Sequence, residues 1–465
     1  MSLTGALNAA LSGIKVSTTA VQVISSNVSN AQTTGYTDKS LSLSESVVGT
    51  SYGGVEISGY NRVSDSVLSA TLNSATTTSS YYSTQNGFLT QIQNILDSSA
   101  SPPALASAVS NFQSAWTAYS ASSNSSADEA NVISTGEQLA TTINSIASQI
   151  SSLKTNVESD LSTSVSTLNT DLQQVQTLNS QIQSAIASNQ SPSDLEDQRD
   201  TLINNISALT NVQVMTRSDG TVALYTSNGT ALLDGTAQTF SVSNDQVVNA
   251  LGANVSSALG GGTLQAQTDF LSTDTSNTGN GVAVISKLTA QLQSFASQFT
   301  STSSASSFAS TYNSATTNSG ELASSFFTYS TDGNGNIDLT SFAVNSALVN
   351  GTSTVKAAAA TSVANTFTAT NSYTSGGLTV TNQTYAGIAN SILSYFQQAA
   401  NSVAASSTTA SAQQSYYQSA LSKETGVNTD TELVNLTSWQ NAYAASAHVI
   451  STIEAMFTTL ENMIS

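Results

Sequence analysis

Near the N-terminus, Leu3, Leu7, Ala10, Ile14, Ser17, Val21, Ile24 and Val28 recur at alternating gaps of four and three. At the other end, Leu436, Trp439, Tyr443, Ser446, Ile450, Ile453, Phe457, Leu460 and Ile464 keep the same rhythm. Each stripe has one serine among otherwise apolar or aromatic members. This is the spacing of a helix that packs along its length against another helix. The plainer alternative is a pair of ordinary amphipathic core helices. Against it, the N-terminal stripe would run about 39 Å at 1.5 Å per residue, a rod with little globular core of its own. Pairing of the two chain ends, or of the ends of neighbouring copies, is therefore expected.

Between the stripes the pattern changes several times. The first helix, over 2–30, closes at Asn27, Asn30 and the run Gln32-Thr33-Thr34-Gly35-Tyr36. Gly35 suits a positive φ, and Tyr36 suits an anchor for the returning chain. Alternation over 40–47, a turn at Gly53-Gly54 and a second strand over Val55–Ser58 predict a hairpin. Helical spacing returns from Val63 to Leu96, Pro102-Pro103 breaks it, and a helix carrying Val109, Phe112 and Trp116 follows. A long helix is expected from about Glu129 to Ala187, with Ile143, Ile146, Ile150, Leu153, Val157, Leu161, Val165, Leu168, Leu172, Val175, Ile182 and Ile186 on one stripe. Its successive gaps of four from Leu153 to Val165 resemble a stutter. Pro192 suits the first position of the next helix, and Ser193 with Glu196 fits a capping box.

From Val212 the period becomes two. Turn signals at Asp219-Gly220, Asn228-Gly229 and Asp234-Gly235 predict a single meander to about Val248. Helix is expected again from about Asn280 to Phe299, weak pattern over 300–320, and strands and loops from Phe326 to Val380. Two further helices are read over Tyr385–Ala404 and Ser415–Leu421. The fold class is thus mainly α with β: a terminal α-helical coiled coil formed by both chain ends, and an elongated helical-bundle middle domain with β-meander and hairpin insertions. Residues 1–60 with 412–465 form the terminal unit. Residues 61–210 with 265–312 and 380–411 form the bundle, and 211–264 and 322–379 are the β-rich segments, the second a candidate outer variable domain.

Composition narrows the function. Only 8% of the 465 residues are charged and the formal net charge is −19. A nucleic-acid binder needs clustered Lys or Arg, and nine basic residues in the whole chain supply no such cluster. An anionic membrane surface would be repelled for the same reason, so neither nucleic acid nor membrane is an expected partner. No apolar run reaches the roughly 20 residues that span a bilayer. There is no cysteine, which rules out a disulfide scaffold and a thiolate site and lets an unfolded chain pass a narrow channel without cross-linking. Met1 to Val16 has no secretory leader pattern.

Candidate chemistry is sparse. Asp194, Glu196, Asp197 and Asp200 could form a carboxylate cluster, but capping and local ion pairs explain them more simply. Ser330–Asp338 partly fits a calcium loop, with Gly335 and Ile337 in place. Ser330 and Ser341 stand where the first Asp and the bidentate Glu belong, so a hairpin turn is the better reading. Gly260-Gly261-Gly262 lacks the following Lys of a phosphate cradle. The single His448 falls off the C-terminal stripe and reads as a solvated position. No enzyme and no cofactor are expected.

Two segments carry a resemblance. Asn27-Val28-Ser29-Asn30-Ala31-Gln32-Thr33-Thr34-Gly35-Tyr36-Thr37 resembles the N-terminal signature of flagellar rod, hook and hook-associated proteins. Gly426 to Leu436, continued by Gln440–Ala447 and Val449–Ile453, resembles that superfamily's other end. Within it, Gly54–Arg62 and Asp194–Asp200 (with Asp197, Gln198, Arg199 and Asp200) are similar to segments of hook–filament junction proteins. Asp38-Lys39 departs from the Arg-Gln often found there.

The resemblance implies a structural adaptor between hook and filament, with the hook subunit or the second junction protein as alternative identities. A wall hydrolase or a calcium-binding surface module are more distant ones. It implies as partners the hook protein, the second hook–filament junction protein, copies of the chain itself and a flagellar export chaperone. It also implies an extracellular place in the bacterial flagellum, reached without a cleaved signal peptide. The assembly interface would comprise Leu3, Leu7, Ala10, Ile14, Val21, Ile24 and Val28 with Leu436, Trp439, Tyr443, Ile450, Ile453, Phe457 and Leu460. Asn27, Asn30, Gly35 and Tyr36 would carry the signature.

Overall fold

A computed structural model describes residues 3–48, 51–97, 104–188, 190–303 and 307–464. The chain is mainly α with small sheets. Helix α1 (Leu3–Asn30) is followed by the antiparallel strands β1 (Lys39–Val48) and β2 (Ser51–Arg62). The body begins with α2 (Ser66–Leu96), capped by Asp65, whose carboxylate accepts the Val67 and Leu68 amides at 2.9 Å. Helix α3 (Leu105–Ala121) comes next. Then comes the 62-residue α4 (Ser126–Ala187), capped by Ser125. Helix α5 (Ser193–Leu209) leads into a four-stranded sheet of β3 (Gln213–Thr216), β4 (Val222–Tyr225), β5 (Ala231–Asp234) and β6 (Thr236–Ala237).

A separate hairpin, β7 (Phe240–Ser243) with β8 (Gln246–Asn249), precedes α6 (Gly262–Leu271), α7 (Val284–Thr300) and α8 (Phe308–Ser314). Strands β9 (Phe327–Thr328) and β10 (Ala343–Val344) pair around a long turn, and α9 (Ser346–Val349) and α10 (Ala360–Thr368) follow. The hairpin β11 (Asn371–Ser375) with β12 (Leu378–Gln383) leads into α11 (Tyr385–Thr425) and the terminal α12 (Thr429–Ile464).

The stripe on α4 is buried from Ile143 through Ile182, and only Ile186 is exposed. Around α4 pack α3, α5, α6 and α7, while α2 runs along α11. At one end of the body Phe112 lies 5.5–6.5 Å, centroid to centroid, from Trp116, Phe299, Phe308, Phe326, Phe327 and Phe367. At the other end amides on α4 receive the sheets. Asn169 bonds both backbone groups of Phe240, at 2.8 and 2.9 Å, and Asn179 bonds both of Val222, at 2.8 and 3.1 Å. Each amide satisfies a donor and an acceptor of a backbone that would otherwise be buried unpaired.

Several expectations are corrected. Gly53-Gly54 is not the hairpin turn. Val48 pairs with Ser51, and Gly54 lies inside β2 opposite Ser46. Its φ of +111° and its lack of a side chain serve packing, since a Cβ there would sit 2.1 Å from Ser12 Oγ and 3.0 Å from Ala9 Cα of α1. The break at Pro102-Pro103 lies outside the described residues. Ser193 forms no capping box: Pro192 occupies the cap position without a side-chain bond, and Glu196 reaches across to Arg62 instead.

The expected single meander is two sheets. Helix α6 arises before the helix expected at Asn280, which begins only at Val284. The segment expected to be β-rich over 322–379 holds α10, whose Val363 and Phe367 enter the core. The two helices read over 385–421 are one, because Ala410 packs inward and Ser79 Oγ of α2 lies 3.3 Å from Ser411 Oγ. Helix α11 therefore crosses 411–412 without interruption.

Candidate functional site

Helix α1 packs lengthwise on α12. Of the α1 stripe, Ala10, Ser17 and Ile24 are buried, Leu3, Leu7, Ile14 and Val21 are half-buried, and Val28 is exposed. The helices approach closely at Gly13, where a Cβ would lie 2.7 Å from Ser446 Oγ. On α12, Ile453 is buried, and Leu436, Trp439, Ser446 and Ile450 are half-buried. Tyr443, Phe457 and Leu460 stay 45%, 44% and 48% exposed. Exposed Met456 and Met463 extend this apolar surface toward the chain end. The second face of α1, with Val16, Ala20 and Asn27 buried, turns toward the β1–β2 hairpin, where Ser12 Oγ accepts the Val55 amide at 3.1 Å.

Asn27 ties both chain ends together. It is fully buried, and its Nδ2 donates to Asp38 Oδ1 (2.9 Å), to the Lys39 carbonyl (2.8 Å) and to Glu432 Oε2 on α12 (2.9 Å). Its Oδ1 accepts the Tyr36 hydroxyl at 3.0 Å and the Lys39 amide at 3.3 Å. Asn30 closes α1 locally, donating to the Ser26 carbonyl and accepting the Thr33 hydroxyl. Gly35 has φ +82° and sits where a Cβ would lie 2.5 Å from Thr201 Oγ1 of α5. The Asp38 amide donates to the Thr425 carbonyl at the end of α11 (2.8 Å). Burial, and then the neighbouring Glu432 charge, raise the Asp38 pKa above its ordinary value.

The first turns of α5 meet this terminal unit through charges. Asp197 receives the Thr37 hydroxyl (2.7 Å) and amide (3.3 Å), Lys39 Nζ (3.1 Å) and Arg62 Nη1 (3.0 Å). Arg62 also reaches Glu196 (3.0 Å) and Asp200 (2.7 Å), Lys39 pairs with Asp194, and the Lys39 ammonium lies 4.0 Å from the Tyr36 ring centre. Burial alone would lower the Lys39 and Arg62 pKa values, but the carboxylates outweigh it and both are raised. Arg199 points the other way, into the body, where Nη1 donates to the Gly220 carbonyl (2.7 Å) and to Asn179 Oδ1 (3.3 Å). Burial lowers its pKa. Gln198 is exposed between them. The acids of this segment thus bind cations distant in sequence, not local ones. Nothing in the spacing of Lys39, Asp38 and Glu432 marks a partner on another element.

The remaining candidates are structural. Asp332 Oδ1 accepts the Asn334 and Asn336 amides at 2.9 Å, and Asp338 caps the Thr340 amide. The Thr331–Ile337 bridge closes this turn, so both carboxylates hold backbone. Among the described residues no group of three or more His, Cys, Asp or Glu could hold a metal ion, and no helix is long and apolar enough to cross a membrane. Gly262 opens α6 against the backbone of Leu209, which a Cβ would meet at 2.5 Å, so the glycine run is a packing site. His448 is exposed.

Residues 89–303 match the family model of the flagellar hook-associated protein FlgK helical domain. Residues 417–463 match that of the flagellar basal body rod FlgEFG protein C-terminal region. No curated protein matches. Among solved structures, the flagellar hook junction protein FlgK from Burkholderia pseudomallei is similar at 24% identity and a TM-score of 0.47, over 56% of this chain. The chain spans about half of that protein, 47% of its length. The first family model covers most of the helical body and the second covers the terminal helix, so in both parts the chain is similar to flagellar axial proteins.

Proposed function

We propose that this chain is a structural junction protein of the bacterial flagellum, joining hook to filament through its paired terminal helices. The observation that carries the proposal is the unequal covering of α12. Along the stripe that lies on α1, Tyr443, Phe457 and Leu460 remain open to solvent although the helix is already paired. An apolar strip of this kind favours further helix packing, as neighbouring subunits of a tube would provide. Its partners are the hook protein, the second junction protein, other copies of the chain and an export chaperone. Its place is extracellular, in the bacterial flagellum. Its role is mechanical, with no catalytic step.

Immunogold microscopy of intact flagella tests this reading. A single band of label at the hook–filament boundary is the expected result, and uniform labelling along the filament would overturn it. In the same strain Ile450→Asp should abolish the band, because it introduces a charge into the helix seam.

A further inference from the structure

We infer that Arg62 and Asp197 are positioning residues, forming an electrostatic latch that fixes the angle between the terminal helix pair and the helical body. The inference deepens the proposed function and rests on it only for its purpose, because the latch is a property of the free chain. Two short links join the terminal unit to the body: residues 63–65, between β2 and α2, and residues 426–428, between α11 and α12. Links of three residues permit a wide range of arrangements unless side chains hold one.

The latch supplies that hold at a point beside both links. Arg62 is the last residue of β2, and Asp38 bonds both the Val63 amide and the Thr425 carbonyl. The side chains of Asp197 and Arg62 are only 9% and 14% exposed, so this pairing is screened less than a surface ion pair. Its geometry is directional. The Arg62 guanidinium meets three carboxylates through three different nitrogens, so a rotated body would lose bonds in a stepwise manner. Helix α5, which presents the carboxylates, is itself fixed on the body. Arg199 holds it to the sheet, Asn204 bonds Asn73 of α2, and the Ser207 carbonyl accepts the Thr77 hydroxyl. The orientation of the terminal pair is thereby referred to the rigid part of the molecule.

The absence of cysteine makes the test direct. Ser180→Cys on α4 and Ser451→Cys on α12, both exposed, are introduced into the full chain, spin-labelled and measured by pulsed electron resonance. The parent should give one narrow distance distribution. Arg62→Gln and Asp197→Asn should each broaden it about two-fold, as one arrangement becomes several, while Arg217→Gln, at the surface pair with Asp234, leaves it unchanged. An unchanged distribution in both latch variants overturns the inference. If either variant fails to fold, the Glu196→Gln, Asp200→Asn double variant is judged by the same criterion. A broadened distribution together with uniform filament labelling would leave the latch standing and remove only the proposed function.

Discussion

Asn27 shows how much one short side chain can organise. It bonds Asp38 and Lys39 nearby and Glu432 405 positions away, all from a fully buried site. Asn27→Ala leaves the buried Glu432 carboxylate short of a donor and is expected to destabilise the terminal unit by about 2–3 kcal/mol. Hydrogen exchange should show faster amides in α1 and α12 with the body amides unchanged. Asp38 adds a pH dependence. Its raised pKa means that the folded state holds the proton more tightly than the unfolded chain. That contribution is complete below the ordinary aspartate value and is lost as pH rises through the folded one. Protection of the terminal amides should therefore increase as pH falls through the raised Asp38 value toward the ordinary aspartate one, and Asp38→Asn should flatten the response; an opposite slope would contradict the assignment. The signature residues Asn27, Gly35 and Tyr36 were legible through resemblance. Glu432 and Asp38 were not, because a hydrogen bond between chain ends leaves no period in the sequence.

At the scale of elements, legibility followed the apolar stripe. Helices α1, α3, α4 and α12 were visible because apolar residues recur along them at helical spacing, whether or not the positions are fully buried. Helix α11 was read as two because residues 405–414 offer only Ala, Ser, Thr and Gln. Small residues there let α2 approach, and Gln414 bonds Thr76 at 3.3 Å. Helices α6 and α10 are short and begin in Gly-rich or Ala-rich sequence, where a turn and a helix start look alike. The capping box at Ser193 failed for a tertiary reason, since Arg62 draws Glu196 away. The aromatic cluster tests the packing. Phe112→Ala should cost about 3–5 kcal/mol, seen as a lowered Tm of the body, because six rings surround Phe112 and none of them has solvent to retreat into. Gly54→Ala should instead weaken the docking of the hairpin on α1, with the Tm of the body unchanged.

For the whole molecule, the useful distinction is between what the monomer needs and what assembly needs. Phe457 is nearly half exposed, so Phe457→Asp should change the stability of the free chain by less than about 0.5 kcal/mol. The same substitution should abolish incorporation at the hook–filament boundary, read by immunogold label. A variant that is stable yet unincorporated would separate the open positions of the α12 stripe from its covered ones. Incorporation at the parental level would show that the strip serves nothing in assembly.

The distribution of positive charge has a consequence for many copies in one solution. Lys39 and Arg62 are engaged with α5, Lys154 and Arg217 with nearby acids, and Arg199, Lys287 and Lys356 are buried. Lys15 and Lys423 are left as exposed cations among the described residues. Two bodies approaching side by side therefore present mainly carboxylates and neutral hydroxyls to each other. They repel over about 10 Å at 0.1 M salt. Flank-to-flank clumping is disfavoured, and contact is left to the terminal helix pair, where apolar surface is open.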